Sequence, residues 1–175
     1  MKKLLMLLTV VCFIFSAPSL FAGTEAGDTE LGLQGSIQNI SPDEGDEDIT
    51  MLILAGSLGY FFTDALSVGV SVMGNLMSYD DYDSTQMSFL IEPNYHFNTE
   101  SDIVPYVGVN GGITKFESED TSESMFSYGA QIGFKSFFAE NASFKVEGRY
   151  THFEMDDEDV GVDILGLFVG VNVYF

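Results

Sequence analysis

The sequence has few basic residues and no long apolar run after its first 22 residues. Only 6 of the 175 residues are Lys or Arg, against 27 Asp or Glu, which gives a formal net charge of −21. So little positive charge cannot neutralise phosphates, which excludes a nucleic-acid-binding protein. Beyond residue 22 no segment approaches the ~18 consecutive apolar residues of a transmembrane helix. Helical periodicity is also absent from this part of the chain.

The first 22 residues are predicted to be a secretory signal peptide. Two lysines precede an apolar run at 4–15, and small residues follow it. This pattern predicts cleavage after Ala22, with cleavage after Ala17 as the alternative. The single cysteine, Cys12, lies in the apolar run, so the mature chain cannot form a disulfide. Cleavage also removes two of the six basic residues, which leaves a mature net charge of −23.

The mature chain is nevertheless rich in apolar residues and glycine. The whole sequence is 46% hydrophobic and contains 18 Gly, 16 Phe and 8 Tyr, so its acidity does not make it disordered. Apolar and polar residues alternate with period two in stretches of about ten residues, which predicts β-strands. We expect eight strands at 29–38, 50–61, 66–76, 86–97, 104–114, 125–137, 143–153 and 163–175. Alternation alone would also fit a soluble β-sandwich.

The connections between the strands favour a membrane barrel. Connections after the even strands are short, whereas those after the odd strands read as longer acidic loops at 39–48, 77–85, 115–124 and 154–161. Aromatic residues recur at the ends of the even strands, as an interfacial girdle requires. They are Tyr60, Phe61, Phe62, Tyr95, Phe97, Phe137, Phe138, Tyr174 and Phe175. We therefore predict one all-β domain over 23–175, an eight-stranded antiparallel up-and-down transmembrane β-barrel.

Three segments resemble a known family. The strand-turn pattern LGYFFTD at 58–64, PYVGV at 105–109 and the ending VGVNVYF at 169–175 are similar to small eight-stranded outer-membrane barrels of the OmpA transmembrane-domain and OmpX kind. The resemblance implies a Gram-negative outer membrane, with both chain termini in the periplasm. It also implies that the alternating residues Val171, Val173 and Phe175 form a signal for the barrel-assembly machinery.

Charged residues on the predicted inner faces of the strands are candidates for an ion-pair network. Unpaired charges inside a narrow barrel are costly, so we expect these groups to pair, with Lys135 reaching Glu147. The predicted network comprises Glu92, Lys135, Lys145, Glu147 and Arg149, with His96 near the end that carries the short turns. It would act as a polar plug; the alternative is a narrow gated pore.

A catalytic site is not expected. The two histidines, His96 and His152, have no evident orienting partner in the sequence, and neither lies in a His-x-Ser pattern. Ser127 and Thr151 are weak candidates for a nucleophile. We therefore predict that the protein is not an enzyme.

The loops hold 17 of the 27 acidic residues. Carboxylate oxygens suit Ca²⁺ or Mg²⁺, but no EF-hand spacing is present. We therefore expect no cofactor beyond loosely bound divalent cations that bridge to lipopolysaccharide; the alternative is a solvated loop surface. The clusters are Asp43, Glu44, Asp46, Glu47 and Asp48; Asp80, Asp81 and Asp83; Glu117, Glu119, Asp120 and Glu123; and Glu154, Asp156, Asp157, Glu158 and Asp159.

The sequence thus predicts a non-enzymatic outer-membrane barrel with an envelope-structural or surface-interaction role. Its expected partners are outer-membrane lipid, lipopolysaccharide, the barrel-assembly machinery and an unknown extracellular molecule. The first alternative is a porin-like channel for small solutes. The second is a secreted soluble β-barrel that binds an apolar ligand.

Overall fold

The computed structural model describes residues 23–40, 49–79, 82–118, 121–154 and 161–175. The predicted signal peptide at 1–22 lies outside these ranges. All eight predicted strands are present. They are β1 (Thr29–Ile40), β2 (Ile49–Phe61), β3 (Leu66–Tyr79), β4 (Tyr82–His96), β5 (Ile103–Ser118), β6 (Thr121–Ala139), β7 (Ala142–Glu154) and β8 (Gly161–Tyr174).

The strands form a closed antiparallel barrel in chain order. Each strand pairs with the next, and β1 closes the ring by pairing with β8. Leu31 of β1, for example, lies opposite Leu58 on one side and Val173 on the other. Closure leaves no long open edge and pairs the backbone groups between strands, as a barrel in lipid requires. The predicted topology is confirmed.

The described residues contain no helix with the length and apolarity needed to cross a membrane.

Large apolar side chains cover the outer surface of the barrel, as the alternation predicts. Leu165 of β8 is 79% exposed and Phe175, the residue after the end of β8, is 74% exposed, with Leu167 and Val169 exposed between them. The ten residue steps from Leu165 to Phe175, at about 3.3 Å each and a tilt of about 40°, span about 25 Å, the height of an outer-membrane apolar band. The exterior is therefore suited to lipid rather than water.

Two of the four predicted loops are shorter than expected. β3 ends at Tyr79 and β4 begins at Tyr82, so most of 77–85 is strand. Likewise β5 ends at Ser118 and β6 begins at Thr121, so most of 115–124 is strand. In each case the two halves of the segment pair with each other, for example Ser78 of β3 opposite Asp83 of β4. Outside lipid, a polar residue is as acceptable in a strand as in a loop. The contrast between short turns and long loops therefore holds only partly.

We call the end of the barrel where β1 begins and β8 ends the terminal end. Aromatic residues that point inward close it. Phe61, Phe137 and Tyr174 pack with Val104 inside the lumen, and Phe61 is only 1% exposed. The prediction that Phe61, Phe137 and Tyr174 belong to the interfacial aromatic girdle is wrong. Consecutive strand residues point to opposite faces, so only every second aromatic residue in such a run can face lipid. Those that face outward are Tyr60, Phe62, Tyr95, Phe97, Phe138 and Phe175.

A second apolar cluster lies in the lumen nearer the opposite end. It consists of Ile53, Ala55, Met73, Leu90 and Phe168. All five side chains are buried, although they point into the barrel and not toward lipid. The charged groups described next lie between this cluster and the aromatic closure of the terminal end.

Candidate functional site: the charged interior of the barrel

Among the residues that the structure describes, six charged side chains lie buried in the lumen, three carboxylates and three cations. The five predicted members are all present, and the sequence analysis missed the sixth, Glu30 at the start of β1. The set is Glu30, Glu92, Lys135, Lys145, Glu147 and Arg149. Among these six groups the formal charge is balanced, which is what burial in a low-dielectric interior demands.

Arg149 lies at the centre of this network. Its Nη1 atom is 2.8 Å from Oε1 of Glu92, and its Nη2 atom is 2.8 Å from Oε1 of Glu147. Its Nε–H donates to the same Glu147 oxygen at 2.9 Å, and the guanidinium lies 5.5 Å from the ring centre of Phe168. One arginine on β7 therefore joins β4 to β7 across the lumen and contacts the apolar cluster above it.

Glu147 is the most heavily used acceptor. Its Oε2 atom lies 2.9 Å from Nζ of Lys145 and accepts the Tyr106 hydroxyl at 2.6 Å. Glu92 is held in a similar way, because the Ser71 hydroxyl donates to its Oε1 atom at 2.6 Å. Hydrogen bonds to both carboxylates satisfy lone pairs that a bare ion pair would leave unpaired.

Lys135 pairs with Glu30, so the prediction that it reaches Glu147 is wrong. Glu30 is on β1 and Lys135 on β6, three strands apart around the ring, so this pair crosses the lumen rather than joining neighbours. The Lys135 ammonium also lies 5.0 Å from the ring centre of Phe61 and 5.7 Å from that of Tyr174. Aromatic faces this close favour a desolvated cation.

His96 lies inside the barrel near the terminal end, as predicted. Its ring centre is 4.9 Å from that of Phe61 and 5.4 Å from that of Tyr106, and the residue is 1% exposed. The histidine thus packs as part of the aromatic closure. Neither of these ring contacts brings a serine or threonine hydroxyl to the imidazole.

Neutral polar residues fill one wall of the lumen with hydrogen bonds. The hydroxyls of Ser88, Thr114 and Ser127 form a chain with spacings of 2.8 and 3.0 Å across β4, β5 and β6. Gln131 accepts from Asn110 at 2.6 Å and donates to Asn94 at 2.9 Å. Ser127 is fully buried within this chain of hydroxyls.

The cavities that the described residues line inside the lumen are small. A cavity of about 30 Å³ lies beside Arg149, Phe168 and Asn75, and another of about 20 Å³ lies beside Glu30, Glu92 and Lys135. Each can hold about one water molecule. Side chains fill the barrel at these levels, as in other barrels of eight strands.

His152 lies on the outer surface of the barrel and has an orienting partner, which the sequence analysis did not find. Its Nδ1 atom is 2.7 Å from Oδ1 of Asp163, which also accepts the Tyr150 hydroxyl at 2.7 Å. Tyr128 packs against the imidazole with ring centres 5.0 Å apart. Thr151 points into the lumen, on the opposite face of the same strand, so it cannot act as a nucleophile for this histidine.

The acidic clusters are only partly described. Asp83, Glu117, Glu123 and Glu154 lie in strands β4, β5, β6 and β7. Within the described ranges, no group of three or more His, Cys, Asp or Glu residues is placed to hold a metal ion. The remaining acids of the clusters lie outside those ranges. They are Asp43, Glu44, Asp46, Glu47, Asp48, Asp80, Asp81, Glu119, Asp120, Asp156, Asp157, Glu158 and Asp159.

Several solved structures share this barrel architecture. Neisserial surface protein A has a TM-score of 0.68 at 18% identity, covering 85% of this chain and 99% of that chain. The N-terminal β-barrel domain of Pseudomonas aeruginosa OprF has a TM-score of 0.62 at 20% identity, covering 86% and 98%. The outer membrane protein OprG of the same organism has a TM-score of 0.60 at 16% identity, covering 87% and 98%. At these identities the likeness concerns the fold.

No curated protein matches this sequence. A family model does, and its description is "Outer membrane protein beta-barrel domain". It covers residues 7–175, nearly the whole chain and all eight strands. The chain therefore belongs to the family of outer-membrane β-barrel proteins.

Proposed function

We propose that the protein is a sealed, non-enzymatic outer-membrane barrel that acts in the envelope or through contacts at the cell surface. The observation that supports this most is the filled lumen, in which three cations and three carboxylates neutralise one another and leave cavities of about 30 and 20 Å³. A small solute would have to displace both the ion pairs and the apolar cluster at Phe168. His152 lies on the outer face of the barrel, whereas Thr151 points into the lumen and cannot serve it as a nucleophile. This argues against catalysis.

We expect no steady ion current when the purified protein is inserted into planar lipid bilayers. The buried ion pairs around Arg149 obstruct the lumen, and their opening would separate desolvated charges. Conductance in concentrated KCl measures this, with an established porin as the positive control. A steady current that disappears in Lys135→Met or Arg149→Met would overturn the proposal and identify the protein as a narrow channel.

Export is part of the proposal. The basic start and apolar run of residues 1–22 support a cleaved signal peptide, and family membership supports delivery to the outer membrane of a Gram-negative bacterium. Fractionation should recover the protein with the outer membrane, and detergent should be needed to extract it. Recovery in the soluble fraction without detergent would favour the secreted soluble barrel instead.

The acidic segments at the end opposite the chain termini are proposed to meet the outside of the cell. Family members of this architecture place this end outside the cell. Carboxylates repel anionic lipopolysaccharide unless cations intervene, so we propose loose bridging by Ca²⁺ or Mg²⁺. Titration calorimetry with Ca²⁺ should show binding in the millimolar range that is lost when Asp156, Asp157, Glu158 and Asp159 are replaced by Asn or Gln. Equal binding by wild type and variant would contradict it.

The C-terminal residue is proposed to be read during assembly. Phe175 is 74% exposed on the lipid face, in register with Val173 and Val171, which lie two and four residues before it. We expect Phe175→Ala to reduce the amount of folded protein in the outer membrane of cells several-fold, while refolding of the purified variant into detergent is unchanged. Leu165→Ala, on the same strand face but distant from the terminus, is the matched control. Equal losses in cells for both variants would argue against a terminal signal.

A further inference from the structure

Residues 23–28 cross the terminal end of the barrel instead of leading directly away from β1. The Thr24 N–H donates to the Thr99 carbonyl, 3.3 Å away in the turn between β4 and β5. In a ring of eight strands, β1 and that turn lie on opposite walls. The segment, here called the strap, therefore spans the mouth of the barrel. This mouth opens to the periplasm in outer-membrane barrels of this type.

The strap is fixed to a second turn on its way across. The Thr24 hydroxyl donates to the Asp64 carbonyl at 2.7 Å, and the Ala26 N–H donates to Oδ1 of Asp64 at 2.9 Å. The Gly27 N–H donates to the Phe61 carbonyl at 2.8 Å. Gly27 has a φ of +100°, a conformation that only glycine adopts without strain. Thr24 is 2% exposed, so the strap packs against the barrel.

The first residue of the strap has no room for a side chain. A Cβ atom on Gly23 would lie 2.0 Å from the Thr99 carbonyl oxygen, closer than any real contact. A polar groove of about 560 Å³ begins at this point, and its lining includes the acidic residues Glu25, Asp64 and Glu100. Gly23 is also the residue that cleavage after Ala22 would leave as the first of the mature chain.

We propose that removal of the leader at the Ala22–Gly23 bond completes this end of the barrel. Hydrolysis by a signal peptidase adds water across the peptide bond, so Ala22 takes the hydroxyl and leaves as a carboxylate. The Gly23 nitrogen takes the other hydrogen of the water and the proton that the new carboxyl group releases, and so becomes an α-ammonium. The new positive charge lies at the groove that Glu25, Asp64 and Glu100 line, in a chain whose mature charge is −23. Attraction between the ammonium and these carboxylates holds the strap in place, so cleavage of the leader stabilises the closed periplasmic mouth.

The first test is the mass of the protein purified from outer membranes. Intact-mass spectrometry should show a chain that begins at Gly23. A chain that begins at Pro18, from cleavage after Ala17, would overturn the proposal, because its ammonium would lie five residues away from the groove.

The second test measures amide hydrogen exchange in the strap of refolded mature protein. With a free amine on Gly23, the Thr24 and Ala26 amides should be protected; acetylation of that amine should speed their exchange at least tenfold, while Val107 in β5 is unchanged. Asp64→Asn keeps the oxygen that accepts from Ala26 and removes the charge, so it should weaken protection in the same direction. Equal protection with and without acetylation would refute the role of the ammonium.

A third variant tests the close approach at Gly23. Gly23→Ala should abolish protection of the Thr24 amide without unfolding the barrel, because the added methyl group meets the Thr99 carbonyl. Gly56→Ala is the matched control, since nothing lies within 4 Å of its Cβ position. Normal protection of Thr24 in Gly23→Ala would show that the strap does not take this path.

Discussion

Glu147→Ala is expected to destabilise the folded barrel by about 3–5 kcal/mol, the cost of leaving a buried charge without its partner. The substitution removes the contacts to Arg149 at 2.8 Å and to Lys145 at 2.9 Å, and it also leaves the buried Tyr106 hydroxyl without its acceptor. Glu92 alone cannot neutralise both cations. Urea unfolding of protein refolded into lipid, followed by far-ultraviolet circular dichroism, measures the loss; the chain has no tryptophan for fluorescence.

Two further variants separate charge balance from other effects of the substitution. Glu140→Ala removes an exposed carboxylate in the turn between β6 and β7, and should change stability by less than about 0.5 kcal/mol. The double variant Glu147→Leu with Arg149→Met removes one charge of each sign and fills the space with apolar groups. It should be less destabilised than Glu147→Ala, because removing a whole buried pair costs less than breaking it. If the double variant is the less stable of the two, ion pairing does not organise the lumen.

The facing of the strands could be predicted from the sequence because lipid and lumen impose opposite demands on successive residues. Leu165 and Leu167 face lipid, whereas Arg149 and Glu147 face the lumen, as period-two alternation requires. The same rule brought five of the six buried charges together. The alternation can be recognised from a few consecutive residues, so the rule predicts the facing of any strand that is long enough to show it.

The pairing of the buried charges could not be predicted in the same way. The sequence analysis assumed that Lys135 would reach a neighbouring strand, whereas it pairs across the lumen with Glu30. A barrel of eight strands is narrow enough for long side chains to meet across it. Glu30 was missed because it precedes the first apolar residue of β1. The alternation could nonetheless have predicted that Glu30 faces the lumen, because Glu30 lies an even number of residues before the inward-facing Gln34.

The His152–Asp163 contact depended on register, which the sequence does not reveal when a connecting segment is long. The two residues lie opposite each other on β7 and β8, eleven residues apart in the chain. A shift of one residue in that pairing would turn Asp163 to the lumen. The strand extensions at 77–79 and 82–85 escaped prediction for a different reason, because their sequence is largely polar and shows no alternation.

Gly129→Ala is expected to be among the most damaging of the conservative substitutions in the barrel wall. A Cβ atom at Gly129 would lie 1.9 Å from the Tyr150 carbonyl oxygen and 3.0 Å from the Thr151 Cα atom. Both atoms belong to the backbone of the paired strand β7, so no side-chain rotation relieves the contact. We expect a loss of about 3 kcal/mol, at the upper end of the cost of overpacking, measured by urea unfolding and by loss of heat-modifiable migration on gels.

Gly148→Ala is the matched control because it places the same methyl group on the neighbouring strand. The nearest atom to its Cβ position is 3.8 Å away, an ordinary contact. At such a position the substitution reduces the conformational freedom of the unfolded chain and can add about 0.4–1 kcal/mol of stability. The two variants are therefore expected to differ in sign. If they behave alike, the close approach of β6 and β7 at Gly129 does not require glycine.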